Sequence, residues 1–141
     1  MQPLRILVVE DLHDTADSLA MLLELWGYQP TVVYEGKKAI EAASTLCPDV
    51  ILLDIDLPDE NGYNVARQLR QIPELAKTLL LAITGYRQES DAQRCRETGI
   101  DLHFLKPVDL EIIKKVLISM EQSLTNRCGR FADSGTTATS T

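Results

Sequence analysis

The stretch Val50-Ile51-Leu52-Leu53-Asp54-Ile55-Asp56-Leu57-Pro58 decides the fold. An unbroken apolar run of this length does not alternate between two faces, so it reads as a strand covered on both sides, as in a parallel sheet. It ends in a carboxylate, which is costly to bury unless it is paired or used. The N-terminal segment repeats the design, with Leu4-Arg5-Ile6-Leu7-Val8-Val9 running into Glu10-Asp11. Two later apolar segments end in other polar groups: Leu79-Leu80-Leu81-Ala82-Ile83 in Thr84, and Leu102-His103-Phe104-Leu105 in Lys106-Pro107.

Between these strands the apolar spacing is helical. Ala16, Leu19, Ala20, Leu22, Leu23 and Trp26 share one face before Gly27, and Ala39, Ile40, Ala43 and Leu46 share another between Gly36 and Pro48. Residues 30–34 read as a short strand, and Val65, Ala66 and Leu69 mark a third helix after the turn-forming loop 57–62. A fourth helix is expected over residues 87–98, marginal and mobile because Ala92 and Cys95 are nearly all it can bury. Asp109 can cap a fifth, with Leu110, Ile113, Val116, Leu117, Met120 and Leu124 as its apolar stripe. Five strands alternating with five helices give an α/β fold with a parallel sheet. Residues 1–125 form one domain. Residues 126–141, rich in Ser, Thr and Gly with Phe131 as the one large apolar residue, read as a disordered tail.

Composition narrows the function classes. A chain of 141 residues fits one domain, and 45% hydrophobic with 25% charged residues is ordinary for a soluble globular protein. A net charge of −7 argues against nucleic acid as a direct partner, since phosphate-backbone binding needs clustered Lys and Arg. No apolar run is long enough for membrane insertion. Three cysteines, Cys47, Cys95 and Cys128, make an odd count without metal-ligand spacing, which points to free thiols and a cytoplasmic home.

Ligands in open parallel sheets bind beyond the carboxyl ends of the strands, so Glu10, Asp11 and Asp54 can converge there. Three close carboxylates need a cation or a basic side chain to neutralise them, and a shallow oxygen-only site suits Mg²⁺ better than an all-protein Ca²⁺ cage. Thr84 supplies a hydroxyl and Lys106 an ammonium, which beside a metal could hold the oxygens of a phosphoryl group carried on one Asp. Taken singly, each motif has a plainer reading: Asp11 as a helix cap, Thr84-Gly85 and Lys106-Pro107 as turns. Their joint order at four strand ends favours the site.

With these motifs in place, the chain over residues 4–124 resembles the receiver domain of two-component response regulators. The resemblance implies a flavodoxin-like (βα)5 three-layer sandwich with strand order 2-1-3-4-5. It assigns Asp54 as phosphoacceptor from a sensor histidine kinase, a histidine phosphotransfer protein or a small phosphodonor. Mg²⁺ would be held by Glu10, Asp11, Asp54 and the backbone carbonyl of Asp56. Lys106 would pair with the phosphoryl group and Thr84 would move to hydrogen-bond it. Lys106-Pro107 would be cis. The output would be a conformational shift of the face formed by the fourth helix, fifth strand and fifth helix, read by a downstream protein target, with a phosphorylation-dependent homodimer as one form of output. His103 stands where the family usually has an aromatic switch residue, and Asp56 and Tyr86 stand where the family tunes phosphoryl lifetime. Catalysis would be confined to the protein's own phosphorylation and dephosphorylation.

Two other functions compete. Asp54-Ile55-Asp56 matches the Asp-x-Asp of haloacid-dehalogenase-like phosphatases, although that motif normally follows the first strand and here Glu10-Asp11 precedes it. A receiver-like interaction module that takes no phosphate is the other, against which the full set of Glu10, Asp11, Asp54, Thr84 and Lys106 argues. With Met1 directly before the first strand and no effector domain after the last helix, the expectation is a stand-alone receiver or one derived from a hybrid kinase.

Overall fold

Five apolar segments pair into one parallel sheet. The computed structural model describes residues 3–85 and 98–132, and side chains as far as residue 123. The strands are β1 (Arg5–Val9), β2 (Gln29–Val33), β3 (Val50–Asp54), β4 (Leu79–Thr84) and β5 (Leu102–Leu105), in the order β2-β1-β3-β4-β5. The helices are α1 (His13–Leu25), α2 (Gly36–Leu46), α3 (Gly62–Arg70) and a C-terminal α4 (Leu110–Ala132), with a 3-10 turn at Pro73–Leu75. This is the flavodoxin-like order expected from the sequence. The expected helix over 87–98, apart from Thr98, and Tyr86 lie outside the described residues.

The central strand is β3, and all five of its residues are buried, which is why its sequence shows no polar alternation. Its alternate residues still face opposite sides. Leu7, Val9, Ile51, Leu53, Leu80 and Ala82 join Ala39 and Ala43 of α2 and Val65, Ala66 and Leu69 of α3 in one apolar cluster. Ile6, Val8, Leu52 and Leu81 are also buried and take the other parity, while α1, which packs along β1 and β2, buries Ala16 and Leu23.

Gly62, the first residue of α3, lies directly on the backbone leaving β3. A Cβ there would run into Ile55 Cα and come within 2.8 Å of the Ile55 carbonyl oxygen and 2.9 Å of the Asp54 carbonyl oxygen. No flexible side chain can give way, so the backbone must shift. Gly62→Ala is therefore expected to destabilise the protein by about 2–4 kcal/mol, read as a lowered urea midpoint. An unchanged midpoint would mean that the loop yields freely.

The chain divides into two units, Pro3–Pro107 and the segment from Val108 onward. In the second, Ile113 and Leu117 are buried, as the helical stripe anticipates. The helix continues to Ala132, past the boundary at 125 where the tail was expected to begin. The reason is local: Arg127, Arg130 and Ala132 are good helix formers, Gly129 costs about 1 kcal/mol, and the Ser/Thr/Gly character starts only at Ser134. Residues 133–141 lie outside the described residues.

Candidate functional site

Register brings the polar strand ends to one edge of the sheet. Val9 pairs with Leu53, so Glu10 emerges level with Asp54. Asp54 pairs with Ile83, and Thr84 pairs with Leu105, which puts Lys106 one step beyond Thr84. The Lys106-Pro107 peptide bond is cis. His103 pairs with Ala82 and is set back three residues from Lys106, about 10 Å at strand rise.

Carboxylate oxygens of Glu10, Asp11 and Asp54 all lie within 4.8 Å of one another. Asp54 is 3% and Glu10 7% exposed, so two of the three acids are removed from water. Three groups answer their charge. Lys106 Nζ is 3.3 Å from Asp54 Oδ1 and 3.8 Å from Glu10 Oε1. The Asp56 N–H donates to Asp54 Oδ1 at 2.9 Å, and the Leu12 N–H to Glu10 Oε2 at 3.3 Å. These do not suffice. Burial, then the hydrogen bond and charge of Asp54, push the Glu10 carboxyl up to about 8, against the lowering effect of the Leu12 amide and Lys106. Burial works to lower the Lys106 ammonium, yet the carboxylates of Asp54, Glu10 and Asp56 outweigh it and raise its pKa.

A proton on Glu10 thus stands in for a missing positive charge, and the all-oxygen donor set fits a hard divalent cation. Glu10, Asp11 and Asp54 would hold it. Mg²⁺ should then displace that proton. Its affinity is expected to rise with pH toward 8, with net proton release near pH 7 in calorimetry in buffers of different ionisation enthalpy. Without metal the sign is the reverse: native Glu10 binds its proton more tightly than the unfolded chain, so its contribution to stability is full below about 4.5 and is lost as pH rises through about 8. Thermal melts in chelator should show that decline and Glu10→Gln should flatten it; a flat wild-type profile would contradict the coupling.

The loop after β3 is tied down on both sides. Asp59 accepts from the Gly36 and Lys37 amides at 3.0 and 3.3 Å, capping α2 where its own N-cap residue, Glu35, offers no side-chain bond. The Gly36 amide leads in holding the Asp59 carboxyl below its usual range. Asn61 caps α3 by accepting from the Tyr63 amide at 2.8 Å. The Asp56 side chain crosses to β4, with Oδ2 3.1 Å from the Gly85 amide nitrogen and 3.5 Å from Thr84 Oγ1.

Glu10, Asp11, Asp54 and Lys106 therefore meet as the sequence suggested, with Thr84 beside them. Gly62 and Asp59 carry no sequence signal as parts of the site, and the sequence marks Asp56 by its place after the phosphoacceptor but not by its contact with the end of β4. Asn61-Gly62 was visible only as a turn signal.

The sequence profile of the response regulator receiver domain matches residues 6–118. The chain belongs to this family. Among its receiver relatives, the polar-differentiation response regulator DivK of Brucella anthropi is 30% identical over 119 residues, covering 82% of this chain and 97% of DivK. The receiver domain of a sensor histidine kinase from Pseudomonas aeruginosa PAO1, solved with magnesium coordinated in its active-site cleft, superposes with TM-score 0.74 at 27% identity, covering 82% of this chain and 94% of that one. A CheY-like receiver from Methanospirillum hungatei JF-1 gives TM-score 0.77 at 25% identity, covering 86% and 99%. The acidic pocket of Glu10, Asp11 and Asp54 matches the phosphoacceptor site of receivers. Asp54 ends the third strand and the other acids follow the first, the receiver arrangement rather than that of the phosphatase alternative. No helix among the described residues is long and apolar enough to cross a membrane.

Proposed function

We propose that this receiver is a phosphorylation-controlled signalling switch with Asp54 as phosphoacceptor. An Asp54 carboxylate oxygen attacks phosphorus in a phosphohistidine of a sensor kinase or histidine phosphotransfer protein. An O–P bond forms, the P–N bond breaks, and the departing imidazole nitrogen takes up a proton. The observation that carries this reading is Lys106 Nζ at 3.3 Å from a buried Asp54 whose neighbours are two more acids. Phosphoryl transfer asks the protein mainly for positioning and charge neutralisation. The Asp56 amide fixes the nucleophile, Lys106 answers the charge of the transferred group, and the Thr84 hydroxyl is a donor for one of its oxygens. Mg²⁺, held by Glu10, Asp11, Asp54 and the Asp56 carbonyl, would neutralise the remaining charge when bound.

The added charge would bias Thr84 and His103, and through β5 a surface read by a downstream protein. The site turns over no external substrate beyond the phosphodonor. The free Cys47 fits a cytoplasmic protein.

Intact-mass analysis after incubation with phosphoramidate tests the reading. One phosphoryl group should be gained with Mg²⁺ and none in chelator. Full-length protein that gains nothing under rapid quench, at saturating Mg²⁺, would overturn it in favour of a phosphate-independent interaction module.

A further inference from the structure

Asp56 is exposed, yet its carboxylate is engaged by the end of β4. Its backbone amide is fixed on Asp54 Oδ1 at 2.9 Å, and its carboxylate turns to the end of β4, where Oδ2 accepts from the Gly85 N–H at 3.1 Å and lies at the long hydrogen-bond limit of 3.5 Å from the Thr84 hydroxyl. A Cβ built on Gly85 would be 3.8 Å from Asp56 Oδ2 and 3.9 Å from Lys106 Cδ, so the carboxylate occupies the gap between the β4 end and Lys106. An anion held by an amide and a hydroxyl, beside an ammonium and next to Asp54, is bound much as a phosphoryl oxygen on Asp54 would be.

We propose that the Asp56 carboxylate is a built-in competitor, holding in the unmodified protein the Thr84 and Gly85 donors that a phosphoryl group on Asp54 must take over. The inference rests on the reading of Asp54 as phosphoacceptor. One amide hydrogen cannot serve two anions, and two anions in one gap repel, so Asp56 must swing out as the phosphoryl group settles. The hydrogen bonds it gives up stabilise the unmodified state. Because the residue is already exposed, the displaced carboxylate is readily rehydrated, and the state can reverse when the phosphoryl group leaves.

Competition for donors differs from plain charge repulsion in how it responds to substitution. Asp56→Asn removes the charge but keeps an acceptor oxygen, whereas Asp56→Ala removes both. The probe is fluoroberyllate, a tetrahedral phosphoryl mimic, titrated by fluorine NMR at saturating Mg²⁺ into the full chain. Mg²⁺ affinity alone is measured in parallel. Asp56→Ala should bind fluoroberyllate about tenfold more tightly than wild type, with Asp56→Asn between them and Mg²⁺ affinity unchanged. The Gly85 amide proton should move upfield in Asp56→Ala and return downfield on adding fluoroberyllate.

Equal affinity in wild type and Asp56→Ala would overturn the inference while leaving the phosphoacceptor reading intact. Equal gains in Asn and Ala would also overturn it, since loss of charge alone would then explain the effect. No fluoroberyllate binding and no phosphoryl adduct in any of the three proteins would overturn the phosphoacceptor reading and this inference together.

Discussion

Asp54→Asn is expected to gain no phosphoryl group under conditions in which wild type gains one. An amide oxygen of Asn has the shape of the carboxylate oxygen but not its charge, so it is a poor nucleophile toward phosphorus and a weaker partner for Lys106. The substitution should not unfold the protein. The Asp56 amide can still donate to Oδ1 of an Asn, and removing one buried like charge relieves Glu10, whose pKa the Asp54 carboxylate raises. Rapid-quench intact mass reads the first effect and a denaturation midpoint at pH 8 the second. A folded Asp54→Asn that still acquires a phosphoryl group at the wild-type rate would move the nucleophile elsewhere.

Lys106→Met is expected to slow phosphoryl acquisition from phosphoramidate by about 10²-fold or more, the usual cost of losing one preorganised charge-stabilising group. Among the described residues, Lys106 makes the ion pairs recorded at Asp54 and Glu10, at 3.3 and 3.8 Å. Met preserves the aliphatic stem and removes the charge. A second consequence separates this from a packing defect. Lys106 lowers the Glu10 pKa, so without it Glu10 should hold its proton to still higher pH, and Mg²⁺ affinity near neutral pH should shift in its pH dependence accordingly. Unchanged transfer kinetics in Lys106→Met would remove the lysine from the chemistry.

Much of this site was legible because a parallel strand buried on both faces leaves a long apolar run, and the polar residue that ends it is conspicuous. The runs before Glu10, Asp54, Thr84 and Lys106 also fixed the strand ends closely enough to put all four on one edge. What stayed hidden depends on contacts between distant segments. Asp59 caps α2 from the following crossover, 23 residues away. Asp56 meets Gly85 across 29 residues. Arg70 reaches the Gly99 and Leu75 carbonyls at 2.7 and 2.9 Å and the Asp101 carboxylate, a tie between α3 and the start of β5 that no local pattern announces. Gly62 looked like an ordinary turn glycine, and only the backbone path beneath it shows why a side chain does not fit. The end of α4 was misplaced for a different reason: helix formers and a polar tail overlap between 126 and 132.

The most direct test of the central claim is chemical trapping of the modified residue. An acyl phosphate is reduced by borohydride to an alcohol, so wild-type protein phosphorylated with phosphoramidate and Mg²⁺, then reduced and digested, should carry homoserine at position 54 and nowhere else. Homoserine at another position, or phosphate surviving reduction as a stable ester or phosphoramidate, would contradict the account of Asp54 as the phosphoacceptor.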